Sequence, residues 1–139
     1  MNAQKILISR IENREANVAI IGLGYVGLPL AVEFASAGLV TTGVDLSEEK
    51  VAQINAGESY IADVTSAEVR ELVEAGKLRA TTDSSALRGV DCICISVPTP
   101  LSKTKDPDIS YIVAACDMIV KAFSPGVLIV LESTTYPGT

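Results

Sequence analysis

Residues 18–38 carry the pattern that most constrains what this chain can fold into. Val18-Ala19-Ile20-Ile21 is a short apolar run rich in β-branched residues. Gly22-Leu23-Gly24-Tyr25-Val26-Gly27 follows at once, and an apolar stretch at helical spacing then runs from Val26 to Ala37 before Gly38 closes it. A strand that turns through glycines into a helix opens a βαβ unit, and G-x-G-x-x-G has meaning only in that setting. In that setting Gly22 permits a tight turn, Gly24 lacks the side chain that would block an approaching pyrophosphate, and Gly27 lets the helix lie close against the strand. The free amides around Tyr25 and Val26 face the phosphates, helped by the positive end of the helix. Pro29 fits as well, because amides of the first helical turn have no intrahelical partner to lose.

The same alternation continues along the chain. Val40 to Asp45 reads as a second strand, and Ser47 as the N-cap of a helix with Glu48 and Glu49 in its first turn. Thr65-Ser66-Ala67-Glu68 has the form of a capping box ahead of a third helix that Gly76 ends. A weaker strand covers Leu78 to Thr81, with a short helical turn after Asp83. Val90 to Ser96 is nearly all apolar on both alternating faces, as strands of parallel sheets are. Ile112, Val113, Cys116, Ile119, Val120 and Phe123 recur at helical spacing, Ser124-Pro125-Gly126 breaks that helix, and Val127 to Leu131 is a fifth strand. Alternating strands and helices with right-handed crossovers predict an α/β doubly wound parallel sheet, Rossmann-like, in the order 3-2-1-4-5 and ending after the fifth strand. Residues 1–16 are predicted to hold an extra N-terminal helix with Ala3, Leu7, Ile8 and Ile11 on one face, packed on its own domain or, as the alternative, against a partner subunit, and residues 17–139 the NAD-binding domain.

Composition narrows the possible functions. A chain of 139 residues with 48% hydrophobic and 20% charged content can bury one core, so one folded domain is expected. Eleven Lys and Arg against 17 Asp and Glu give a net charge of -6, the wrong sign for a phosphate-backbone binder, and nucleic acid is set aside. No apolar run approaches the roughly 20 residues of a membrane span, so no membrane partner is expected. An odd cysteine count without framework spacing, and no signal-peptide core, suggest a cytoplasmic, reduced protein. The absence of histidine removes imidazole chemistry and the commonest metal ligand, and no metal site is expected.

Asp45 stands 23 positions after Gly22, near the spacing at which an acidic residue accepts hydrogen bonds from the adenosine ribose hydroxyls. Its carboxylate would repel a 2′-phosphate and no arginine is near, which favours NAD over NADP; spacing alone does not place the cation of Lys50. Two hydroxyl-rich turns follow strand ends, Ser96-Val97-Pro98-Thr99-Pro100 and Glu132-Ser133-Thr134-Thr135. In open parallel sheets ligands sit at that edge, so Thr99, Ser133 and Thr134 are binding candidates, with ordinary turn chemistry as the alternative. Cys92, Cys94 and Cys116 read as core packing, since none has a cation near it in sequence to favour a thiolate.

Ile20 to Ala31, Ser96 to Leu101 with Pro107 to Tyr111, and Glu132 to Thr139 together resemble the UDP-glucose/GDP-mannose dehydrogenase family, in the UDP-N-acetylglucosamine 6-dehydrogenase branch. The resemblance implies two NAD-dependent oxidations that convert the C6 alcohol of a nucleotide-sugar substrate to a carboxylate through a cysteine-bound thiohemiacetal and thioester. It implies that Gly22, Leu23, Gly24, Tyr25, Val26 and Gly27 hold the pyrophosphate and that Asp45 and Lys50 serve the adenosine ribose. Val97, Pro98, Thr99, Pro100 and Leu101, with Ser133, Thr134 and Thr135, would line the rest of the groove. Thr134 matches a family threonine that positions water near the reacting carbon. Family members are much longer, with the nucleophilic cysteine and catalytic lysine beyond the point matching Thr139. The chain therefore reads as an N-terminal piece that binds NAD without turnover, of a full-length homo-oligomer serving polysaccharide biosynthesis. A non-catalytic dinucleotide-sensing module and an S-adenosylmethionine-binding methyltransferase are the alternatives.

Overall fold

The computed structural model describes residues 3–97, 110–122 and 126–132. Helix α1 (Ala3–Glu12) precedes strand β1 (Asn17–Ile21), and helix α2 (Gly27–Ser36) leads to β2 (Val40–Val44). Helices α3 (Glu48–Asn55) and α4 (Ser66–Glu74) precede β3 (Leu78–Thr81). A 3-10 turn (Ser84–Leu87), β4 (Cys92–Ile95), α5 (Ser110–Ala122) and β5 (Leu128–Leu131) complete the order. All strand pairs are parallel and the sheet runs β3-β2-β1-β4-β5, as the sequence alternation predicts. The order reverses between β1 and β4, and a crevice opens beside the carboxyl ends of strands at such a switch point.

Two cores flank the sheet because alternate residues of each strand face opposite ways. Val18 and Ile20, with Cys92 and Cys94, pack against Leu28, Ala31, Val32 and Ala35 of α2 and against Ile54 and Val69 of α3 and α4. Ala19 and Ile21, with Ile93 and Ile95, pack against Leu87 and against Ala115, Ile119 and Ala122 of α5. The polar signals hold at helix starts: Ser47 Oγ accepts the Lys50 N–H, Thr65 Oγ1 accepts the Glu68 N–H, and Asp83 caps the 3-10 turn.

Three expectations need correction. The helical stripe of α5 buries Ile112, Ala115, Ile119 and Ala122, whereas Val113 and Val120 stand exposed and Phe123 lies outside the described residues. Cys116 is likewise exposed rather than part of the core. The stripe is wider than the face that one side of a five-stranded sheet covers. On α1, Leu7 is half-buried but Ile8 and Ile11 are exposed, together with Ile6.

Helix α1 is held at its carboxyl end by polar contacts. Asp91, just before β4, accepts the Asn17 N–H on Oδ2 at 2.8 Å, and its Oδ1 lies 3.1 Å from Arg10 Nε. The Arg14 guanidinium donates to the Ala37 carbonyl at the end of α2. Removing Asp91 leaves a half-buried backbone donor unmatched, which costs about 1–3 kcal/mol. Asp91→Ala is therefore expected to lower the urea midpoint and to expose α1 to proteolysis while the sheet stays folded; an unchanged midpoint with intact α1 would show that these contacts hold nothing in place.

Candidate cofactor site

The glycine turn sits where β1 meets the switch point. Gly22, at φ +95, adopts a left-handed conformation that suits glycine, and its N–H donates to the Val44 carbonyl at 2.8 Å. A Cβ on Gly22 would stand 2.6 Å from the Ser96 carbonyl oxygen, and one on Gly27 would stand 1.7 Å from the Gly22 carbonyl oxygen. Those two glycines are spent on packing the turn against β4 and the helix against the strand. Gly24 differs: a Cβ there would meet nothing within 4 Å, so this backbone faces open space.

Leu23 faces inward. Its side chain is fully buried against Gly43 of β2, where a Cβ would come within 2.5 Å of Leu23 Cδ2. Its N–H donates to Asp45 Oδ2 at 2.9 Å. Tyr25 and Val26 point the other way and are exposed, Tyr25 by 87%. No hydrogen-bond partner among the described residues meets the amides of Gly24, Tyr25 or Val26. Helix α2 also starts without a side-chain cap, in contrast to α3 and α4. Unmatched amides at an uncapped helix start are donors waiting for an anion. Ser96 Oγ, buried and without a partner among the described residues, belongs to the residue on which the turn rests.

Asp45 follows β2 and ties two turns together. Oδ2 takes the Leu23 amide and Oδ1 takes the Ser47 amide at 2.8 Å. Each carboxylate oxygen keeps a second lone pair, so the group can still accept from a ligand hydroxyl. Beside it opens a cavity of about 250 Å³, walled by Ile21, Gly22, Val44, Asp45, Leu46 and Lys50 on the strand side, Val97 after β4, and Tyr111, Ala114, Ala115 and Met118 of α5. Spacing had left Lys50 unplaced; the structure puts its ammonium 5.9 Å from the centre of the Tyr60 ring and its side chain on the cavity wall.

The structure thus brings Gly22, Asp45, Lys50 and Val97 around one crevice, while Gly24, Tyr25 and Val26 stand in the turn beside Gly22, and Leu23 and Gly27 are buried beneath it. Pro98, Thr99, Pro100, Leu101, Ser133, Thr134 and Thr135 lie outside the described residues. Sequence reasoning did not assign Tyr111, Ala114 or Met118 to the site; Tyr111 ends the Pro107-to-Tyr111 segment of the family resemblance, and the signal of the other two is only that they lie on the helix after β4. It also missed Tyr60, whose hydroxyl donates to the Leu23 carbonyl. Cys92 and Cys94 are buried in β4, and the hydrogen bond between them together with burial pushes the Cys94 thiol well above the usual thiol range. Among the described residues no group of acidic, cysteine or histidine side chains is placed to hold a metal, and no helix is long and apolar enough to cross a membrane.

Residues 16–139 match the model of the UDP-glucose/GDP-mannose dehydrogenase family, NAD binding domain. The chain belongs to this family. It is 38% identical over 123 residues to the UDP-N-acetyl-D-mannosamine dehydrogenase of Pyrococcus horikoshii, covering 88% of this chain and 29% of that protein. It is 37% identical over 125 residues to the UDP-N-acetyl-D-glucosamine 6-dehydrogenase of Pseudomonas aeruginosa, covering 90% and 29%. Its fold superposes on the crystal structure of a ternary complex of GDP-mannose dehydrogenase from Pseudomonas aeruginosa with a TM-score of 0.84 at 35% identity, over 88% of this chain and 29% of that one. The chain thus spans under a third of the length of these relatives. Family membership overturns the methyltransferase alternative. The open backbone at Gly24, the unmatched amides, the orphan Ser96 hydroxyl and the acceptor at Asp45 together fit NAD.

The two kinds of glycine separate cleanly by experiment. Gly27→Ala forces a carbon into a carbonyl oxygen, and overpacking of this severity is expected to cost roughly 3 kcal/mol or more and lower the melting temperature by about 10 °C. Gly24→Val should leave the melting temperature nearly unchanged while NAD binding, followed by calorimetry, falls at least tenfold. The reverse pattern would mean that the roles of the two glycines have been exchanged.

Proposed function

We propose that this chain is the cofactor-holding part of a nucleotide-sugar 6-dehydrogenase that oxidises the C6 alcohol of a UDP-sugar, UDP-N-acetylglucosamine or UDP-glucose, to the uronic acid with two NAD. The observation that carries this reading is the glycine turn itself: an uncapped helix start with unmatched amides, an open Gly24, and a carboxylate at the next strand end. The amides of Gly24, Tyr25 and Val26 hold the pyrophosphate, Gly22 and Gly27 shape the turn, and Leu23 anchors it. Asp45 and Lys50 bind the adenosine ribose, and the cavity beside them accepts the adenine between Val44 and the α5 residues Tyr111, Ala114 and Met118. Val97 to Leu101 and Ser133 to Thr135 line the nicotinamide half, where Thr134 positions water near the reacting carbon. Bound NAD supplies the hydride acceptor.

The sugar is not chosen by this part of the enzyme. Relatives named for N-acetylmannosamine and for N-acetylglucosamine nucleotides match it at 38% and 37% identity. We assign the substrate-binding residues, the nucleophilic cysteine and the subunit contacts of a homo-oligomer to sequence that corresponds to the remaining length of the relatives.

Asp45 sets the cofactor preference. NAD is expected to raise the melting temperature of the 139-residue chain more than NADP at equal concentration, since only the bound state gains RT ln(1 + [L]/Kd). In the same solutions UDP-N-acetylglucosamine with NAD should give no NADH absorbance. Asp45→Asn should narrow the difference between NAD and NADP. Equal shifts from the two cofactors in the parent chain would remove Asp45 from this role, and NADH formation would place turnover in this domain.

A further inference from the structure

Tyr60 lies in the connection between α3 and α4, a segment that neither the strand ends nor the glycine motif brings into the site. That connection is tightly fixed. Gly57 N–H donates to Ile54 O at 2.9 Å, Ser59 N–H to Ser66 Oγ at 3.0 Å, and the Ile61 N–H to Ser59 Oγ at 3.1 Å, while Ile61 and Val64, just after Tyr60, are buried. From this frame the half-buried phenol reaches back 37 positions and donates its O–H to the Leu23 carbonyl. The Leu23 N–H is already held by Asp45, and its side chain is locked against Gly43. The Leu23 carbonyl belongs to the same peptide group as the Gly24 N–H, and in a trans peptide the two point in opposite directions. Fixing the carbonyl toward Tyr60 therefore fixes the Gly24 N–H away from it.

We propose that Tyr60 is a positioning residue of the cofactor site: its hydroxyl orients the Leu23–Gly24 peptide so that the Gly24 N–H is presented to the pyrophosphate. The same ring carries the Lys50 ammonium on its face, so one side chain steadies both the phosphate end and the ribose end of the crevice. Burial and the nearby Asp45 carboxylate push the phenol pKa up, which keeps it a donor throughout the neutral range. The proposal rests on the reading of the turn as a dinucleotide site.

The test compares Tyr60→Phe, which keeps the ring and its contact with Lys50, with Tyr60→Leu, which removes both. Titrations of the 139-residue chain with NAD, ADP-ribose and adenosine are followed by calorimetry. Loss of one positioning hydrogen bond predicts that Tyr60→Phe weakens NAD and ADP-ribose by about 3- to 10-fold and leaves adenosine, which has no pyrophosphate, unchanged. Tyr60→Leu should weaken adenosine as well. In the ligand-free chain, nitrogen-15 relaxation should show the Gly24 amide ordered in the parent and exchange-broadened in Tyr60→Phe, with α4 unaffected. An unbroadened Gly24 amide, or equal losses for NAD and adenosine in Tyr60→Phe, would overturn the proposal. If the parent chain bound no NAD, the cofactor reading would fail on its own, and the relaxation of Gly24 would still decide whether Tyr60 orients the peptide.

Discussion

The contact on which the site depends is the one between Gly22 and Gly27. With 1.7 Å between the Gly22 carbonyl oxygen and the place a Cβ would occupy on Gly27, any other residue there would lift α2 off the end of β1. Because the helix starts so low, the residues between them have only two directions. Leu23 goes down into the core, where Gly43 has left it room, and Tyr25 and Val26 go out into solvent. The turn is then tied at Leu23 by Asp45 through the N–H and by Tyr60 through the carbonyl. Three bare positions, two in the turn and one on the neighbouring strand, thus convert a flexible glycine sequence into a fixed row of outward amides.

That arrangement explains how a chain of net charge -6 can hold an anion. Surface charges more than about 8–10 Å away are screened at physiological salt, whereas an amide acts at about 2.9 Å. The global field is therefore a weak opponent, and the local dipoles at the start of α2 decide. Charge is also divided along the crevice. The amides favour negative charge at the turn, and the Asp45 carboxylate disfavours it at the end of β2, so the crevice suits a ligand whose middle is anionic and whose flank carries hydroxyls. Lys50 tempers this division, being on the same wall as Asp45 with its ammonium over the Tyr60 ring.

Features that depend on neighbours in sequence were legible before the structure. The strand order follows from the alternation of elements and the handedness of crossovers, the caps Ser47 and Thr65 act within three residues of themselves, and the glycine turn is a six-residue event. Asp45 was placed correctly at the strand end, but its carboxylate also carries the Leu23 and Ser47 amides, a structural duty that spacing does not reveal.

What escaped depends on who the neighbours are in space. β4 and β5 are both short runs of apolar residues, yet all four residues of β4 are buried, whereas Leu128, Ile129 and Leu131 of β5 are exposed. β4 lies between two strands, and β5 pairs on one side only among the described residues, so burial is set by position in the sheet rather than by composition. The same reasoning covers Val113, Cys116 and Val120, which continue an apolar stripe past the face that the sheet can cover. Tyr60 is the converse case. An aromatic residue in a polar connection, Glu58-Ser59-Tyr60, announces only that it needs somewhere to dock, and the site it found is 37 positions away because α3, packed against β3, carries the following connection back to the glycine turn. A helical period shows which residues share a face, but only the assembled sheet decides which of them are covered and brings that phenol to the Leu23 carbonyl of the glycine turn.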